Sequence, residues 1–205
     1  MDADYSVELG AAAPALELPW DDPEGRLQYV DLRGGGSVEL NCERIPEARL
    51  FPALRRFLIE LNSERSAWQT AKCDAWTDES EAAENPYDAG FEQSCYVDVV
   101  LTERSAALRT SLEFHQRAAR EMAQMLEENE TLEATAEIMV RSCYFHPVGN
   151  MEESDAGYCM TMFLTGYGAS EAAAADCWGR AMDHAASCWT RLQPHEGHAQ
   201  ARELG

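Results

Sequence analysis

The sequence predicts an α+β fold, a two-layer sandwich in which helices cover one face of a four-stranded antiparallel sheet. Three observations lead there. Residues 133–146 and 157–168 each alternate aliphatic with polar or aromatic side chains, the period of two that marks a strand. Residues 68–77 and 95–102 repeat that alternation as a second hairpin. Each strand pair is then followed by apolar residues at helical spacing. With one helix ahead of both, the order reads α-ββα-ββα, which a ferredoxin-like sandwich in circularly permuted order would satisfy.

The chain of 205 residues is long enough for one well-buried core and too short to require two, so a single domain is expected. Residues 1–45 read as an extended arm: Pro14, Pro19, Pro23 and three consecutive alanines sustain no period, and Leu16, Leu18 and Trp20 supply apolar anchors. A short hairpin is expected within it, residues 27–32 turning at Gly34, Gly35 and Gly36 into 38–40. Residues 46–192 form the α+β core. Its first helix spans 46–62, with Pro46 in the first turn and Pro52 imposing a bend or a second start. Leu54, Phe57, Leu58 and Leu61 form the inner stripe of that helix. A second helix, 105–128, carries Leu108, Leu112, His115, Ala119, Met122 and Leu126. Its acidic last turn, Glu127 and Glu128, has the wrong sign for the helix dipole, so fraying is expected. The third helix is capped by Ser170, carries Trp178, Met182, Ala185, Trp189 and Leu192 inward, and stops at Pro194. Residues 193–205 read as a loose tail.

Charge and composition exclude several classes. A formal charge of -21 argues against a basic surface that grips nucleic acid, and against anionic membranes. It suits a basic partner or an acidic, inhibitor-like or immunity-like role. No apolar run approaches a membrane span and the acidic N-terminus lacks signal-peptide features, so a cytoplasmic location is expected. The seven cysteines are odd in number and irregularly spaced, which points to reduced, buried thiols.

The strand alternations can be phased together. Ala71, Cys73, Val97, Val99, Ile138, Val140, Met160, Met162 and Leu164 then face the helices. Lys72, Asp74, Trp76, Tyr96, Asp98, Glu137, Arg141, Phe145, Thr161, Phe163, Thr165 and Tyr167 share the opposite face. That second face is too aromatic to be washed by solvent and too charged for ordinary core. Three readings compete for it: cross-strand ion pairing beneath a covering segment, a partner or ligand surface, and acid-base chemistry by Asp74, Asp98 and Glu137 with Lys72 or Arg141 holding an anion. A homodimer through the same face is a further alternative. The expectation adopted is a non-enzymatic binding domain that uses Lys72, Asp74, Trp76, Tyr96, Asp98, Glu137, Arg141, Phe145, Thr165 and Tyr167, with the acidic loop 78–92 bordering them.

Other constellations weigh less. His184 and Cys188 stand four apart on the third helix with Cys177 further back, but small buried residues are expected there, and neither metal nor cofactor is assigned. Cys143 and His146, three apart on a strand, point to opposite faces. Gly166, Gly168 and Ser170 faintly suggest an anion-binding turn, for which a strand-to-helix turn is sufficient explanation.

Overall fold

The computed structural model describes residues 1–10, 16–18, 30–33, 36–80, 85–146 and 153–194. The fold is α+β, with helices packed on one face of a mixed, six-stranded sheet. Its strands are β1 (Asp2–Glu8), β2 (Leu16–Leu18), β3 (Trp68–Glu79), β4 (Phe91–Leu101), β5 (Ala134–Phe145) and β6 (Asp155–Gly168). The helices are α1 (Val38–Cys42), α2 (Pro46–Leu50), α3 (Pro52–Leu61), α4 (Leu112–Glu127) and α5 (Glu171–Arg191), with a 3-10 segment over Glu103–Leu108. The sheet order is β1-β5-β6-β4-β3, and β2 continues along the same edge of β5 as β1.

The expected four-stranded antiparallel sheet is therefore incomplete. Both hairpins form, and β4 pairs β6 antiparallel between them. The expected extended arm instead adds β1 and β2, both parallel to β5. Residues 2–8 alternate Asp2, Asp4, Ser6 and Glu8 against Ala3, Tyr5 and Val7, a period of two over a full strand. Of the hairpin expected within the arm, residues 27–29 lie outside the described residues. Residues 38–40 belong to α1, because the Ser37 hydroxyl accepts from the Leu40 N–H and starts a helix. The break at Pro52 is a second start: Phe51 is extended between α2 and α3, and a proline stands at the first turn of each. The long second helix begins at Leu112 instead of Ser105, where Ser111 caps the Phe114 N–H. Most of the expected tail, residues 195–205, lies outside the described residues.

The core lies between sheet and helices. Val97, Val99, Ile138, Val140, Met160, Met162 and Leu164 are fully buried beneath Leu54, Phe57, Leu58, Met122, Leu126, Met182 and Trp189. Trp68 anchors the far end: its indole N–H donates to the Leu192 carbonyl, its ring meets Trp189 edge-on at 5.1 Å, and Phe114 stacks at 6.0 Å. α5 lies directly on β6. A side chain at Gly166 would meet the Trp178 backbone nitrogen at 2.4 Å, and one at Gly168 the Ala174 nitrogen at 2.4 Å. Neither glycine has positive φ, so close helix approach explains both better than the expected turn.

The acidic end of α4 is helical through Glu127 and its carbonyls have a donor. The His184 ring nitrogen Nε2 lies 3.2 Å from the Met125 carbonyl and 3.3 Å from that of Leu126. Carbonyls only accept, so Nε2 carries the proton and caps the helix. Arg191 adds an ion pair to Glu128 at 3.5 Å. Arg191 supplies positive charge that the acidic last turn lacks, and His184 supplies a hydrogen-bond donor.

Candidate functional site

The second face follows from strand register. Cross-strand partners in a sheet share a face, so the pairings arrange it in rows running across the strands. From β3 to β1, one row reads Asp78, Glu92, Tyr167; the next Trp76, Ser94, Thr165, Thr135, Asp2. A third reads Asp74, Tyr96, Phe163, Glu137, Asp4, and a fourth Lys72, Asp98, Thr161, Met139, Ser6. Below them Cys159, Arg141 and Glu8 align. All the residues expected on this face are there.

One residue expected against the helices has changed sides. The β3–β4 register shifts between Thr70 and Lys72, a β-bulge that leaves Ala71 without a ladder partner. Ala71 packs on the second face with Leu18, Val100, Cys143, Phe145 and Cys159. The extra residue also sets the phase of the strand beyond it, placing Lys72, Asp74 and Trp76 on the second face.

The face is divided along its length. At the Leu18 end it is apolar and closed: Leu18, Phe145, Cys143 and Cys159 are all buried. Phe145, expected among the binding residues, is thus a packing residue under the Arg109 guanidinium, which stands 4.9 Å from its ring. Toward the opposite end the face opens. Trp76 is 38% exposed, Asp74, Asp78, Asp2 and Asp4 are exposed, and Tyr96, Phe163 and Thr165 are half-buried. The Tyr96 and Phe163 rings lie 6.3 Å apart, and the Lys72 ammonium sits 5.5 Å from the Tyr96 centroid. Tyr87, from the β3–β4 loop, rests beside Tyr167 and donates from its hydroxyl to Asp2 at 3.1 Å and the Ala134 carbonyl at 3.0 Å. Burial and the Asp2 carboxylate push the Tyr87 phenol up to about 12. The described part of the loop thereby borders the face.

Between the two ends the ionisable groups are held by one ion pair and by hydroxyl hydrogen bonds. Arg141 bonds Glu8 at 2.7 Å, and Glu137 accepts from the Ser6 hydroxyl at 2.5 Å. Asp98 is 2% exposed and accepts from the Thr161 hydroxyl at 2.6 Å. Burial raises its carboxyl above the ordinary value; the Thr161 bond, Lys72 and Arg141 oppose that rise. Burial also raises Tyr96, with help from Asp98 and Asp74.

The three carboxylates considered for acid-base work do not converge. Asp74 and Glu137 share a row but sit three strands apart, about 14 Å at ordinary strand spacing. Asp98 lies one row deeper, buried. Sequence reading missed Asp2, Asp4, Ser6, Glu8 and Tyr87; the alternation in residues 2–8 was the signal for the first four. It also missed a groove of about 630 Å³ on the helix side, between the α2–α3 corner and α5, floored by Phe51 and Trp178 and crossed by the Arg56–Asp183 ion pair. His184 and Cys188 come within 3.8 Å, but the ring nitrogen facing the thiol is the one that caps α4. No group of three or more metal-ligating side chains forms among the described residues, and no described helix is long and apolar enough to cross a membrane. Comparison of the chain with protein-family models, curated proteins and solved structures finds no match.

Proposed function

We propose that this protein is a binding domain that docks a basic protein partner on the open end of its second sheet face. The observation that carries this reading is the distribution of charge around the aromatic centre. Trp76, Tyr96 and Phe163 form a partly exposed strip across the strands. The strands at both sheet edges line it with carboxylates, Asp74 and Asp78 on β3 and Asp2 and Asp4 on β1; Lys72 is the cation beside it, and Arg141 is paired to Glu8 further along the face. Aromatic anchors inside a charged rim are the usual anatomy of a protein interface. A predominantly acidic rim steers a basic partner and disfavours a second copy of itself, which supports a heterologous partner over a homodimer.

The test compares two variants of equal charge change, Asp74→Lys on the face and Glu127→Lys on α4. Proteins retained from a lysate by the wild type are identified, purified and titrated against all three forms at two salt concentrations. The reading expects a basic protein whose affinity falls at least about tenfold with Asp74→Lys, is unchanged with Glu127→Lys, and weakens as salt rises. Equal binding by the Asp74→Lys variant, or binding indifferent to salt, overturns it.

A further inference from the structure

We propose that Cys143 and Cys159, neighbouring thiols at the closed end of the second face, form a reversible intramolecular disulfide when the protein meets a disulfide oxidant of the glutathione class. All seven cysteines are free thiols in the structure. These two share one apolar cluster with Leu18, Ala71, Val100 and Phe145. Register makes them diagonal neighbours on adjacent antiparallel strands, since Cys143 pairs with Gly157 and Cys159 with Arg141. The Cys159 thiol donates to the Arg141 carbonyl at 3.9 Å, the carbonyl of its own cross-strand partner.

Two features make the pair a switch instead of a permanent staple. Diagonal neighbours stand about 7–8 Å apart at Cα, beyond the upper limit of about 6.8 Å that a relaxed disulfide usually spans. Closing the bond draws β5 and β6 together locally, and a strained bond is readily reduced. Access is also gated. The neighbouring Cys143 thiol and burial together raise the Cys159 thiol, so it stays protonated and slow while covered. Its cover includes Leu18 of β2, a strand of three residues. β2 is held by its ladder to β5 and by the His146 N–H, which donates to the Leu18 carbonyl at 2.8 Å. Opening this three-residue strand uncovers the thiols while the β5–β6 ladder stays paired.

The chemistry balances with glutathione as the electron acceptor. With β2 open, one thiol loses its proton and attacks oxidised glutathione, which releases one reduced glutathione and leaves a mixed disulfide. The second thiol then attacks the protein-side sulfur of that bond and expels the second glutathione. Two protein thiols become one disulfide, and their protons end on the two glutathione thiols.

The full chain is incubated under native conditions with oxidised glutathione, then denatured, alkylated and weighed. The expected product has two thiols closed to alkylation and, before alkylation, is lighter by the two hydrogens lost. Cyanogen bromide then cuts at Met151, between the two cysteines, and at Met139 and Met160. The fragment carrying Cys143 should travel with the one carrying Cys159 until a reductant is added. Leu18→Ala should speed the reaction about tenfold or more by loosening the cover, and excess reduced glutathione should reverse it. The proposal is overturned if all seven thiols still alkylate, if the linkage joins any other pair, or if a glutathione adduct persists unresolved. The mapping uses wild-type protein, so its outcome does not depend on a variant folding.

Discussion

The two faces of the sheet have the same strands and the same twist but opposite tolerances. On the helix side, β4, β5 and β6 present Val97, Ile138 and Met162 to a continuous packed core, and α5 comes so close that Gly166 and Gly168 leave no room for a methyl group. On the other side, the residues one position along, Tyr96, Glu137 and Phe163, remain half-buried beside paired charges. Stability is concentrated on one face, which leaves the other free to carry charge and aromatic surface. A buried ionisable group occurs on each side, His115 under the helices and Asp98 on the second face, and burial pushes the two in opposite directions along the pH scale.

Four measurements put that contrast at risk. The largest effect is expected from Gly166→Ala, whose new methyl group meets α5 backbone that cannot rotate away. A loss above about 4 kcal/mol in urea unfolding is expected, against less than about 1 kcal/mol for Thr165→Ala beside it. Next, Leu164→Ala should cost about 2–5 kcal/mol by opening a cavity, while Phe163→Ala on the same strand should cost distinctly less. Similar losses for the two would show that the second face is core as well.

The two smaller effects concern pH. Asp98 has a folded pKa raised above its unfolded value, so its folded form favours the proton. Its contribution is present below the ordinary carboxylate range and is lost as pH rises through the raised value. Asp98→Asn should therefore gain on the wild type in urea midpoint as pH climbs from about 4 toward neutrality, with no gain at the acid end. His115 has a folded pKa lowered by burial, so stability holds above the ordinary histidine value and falls as pH drops through and below it. That slope cannot exceed about 1.4 kcal/mol per pH unit, and His115→Leu should remove it. Opposite slopes from the two variants would show that the helix side buries a base and the second face an acid.

Much of the hairpin architecture was legible because alternation is a local signal. Ile138, Val140, Met160 and Met162 could be phased without knowing what covers them, and so could Glu137, Arg141 and Thr165. Two kinds of information were not local. The parallel pairing of β1 with β5 joins residues more than a hundred positions apart, so nothing near residues 2–8 announced a partner even though their own alternation was readable. The bulge at Ala71 has no side-chain signature; alanine fits either face, and only the ladder shows that it lacks a partner. Burial of two aromatics, one at each end of the second face, was hidden for the same reason. Phe145 and Tyr167 look like binding aromatics in sequence, yet Leu18, remote in the chain, packs in the cluster that buries the first, and Tyr87 rests against the second. The cap on the acidic end of α4 was not local either, because His184 belongs to another helix.

The bulge has one more consequence, for what this sheet does not do. Among the described residues β3 is an unpaired outer edge of twelve residues, long enough to template unwanted strand pairing with another copy of the chain. An irregular ladder at Thr70 and Lys72 breaks the regular row of donors and acceptors that an incoming strand would need, and Asp74, Asp78 and Glu79 charge the remainder of that edge. The same inserted residue that sets the polar face therefore also interrupts the outer edge of the sheet, the usual device against edge-to-edge strand pairing.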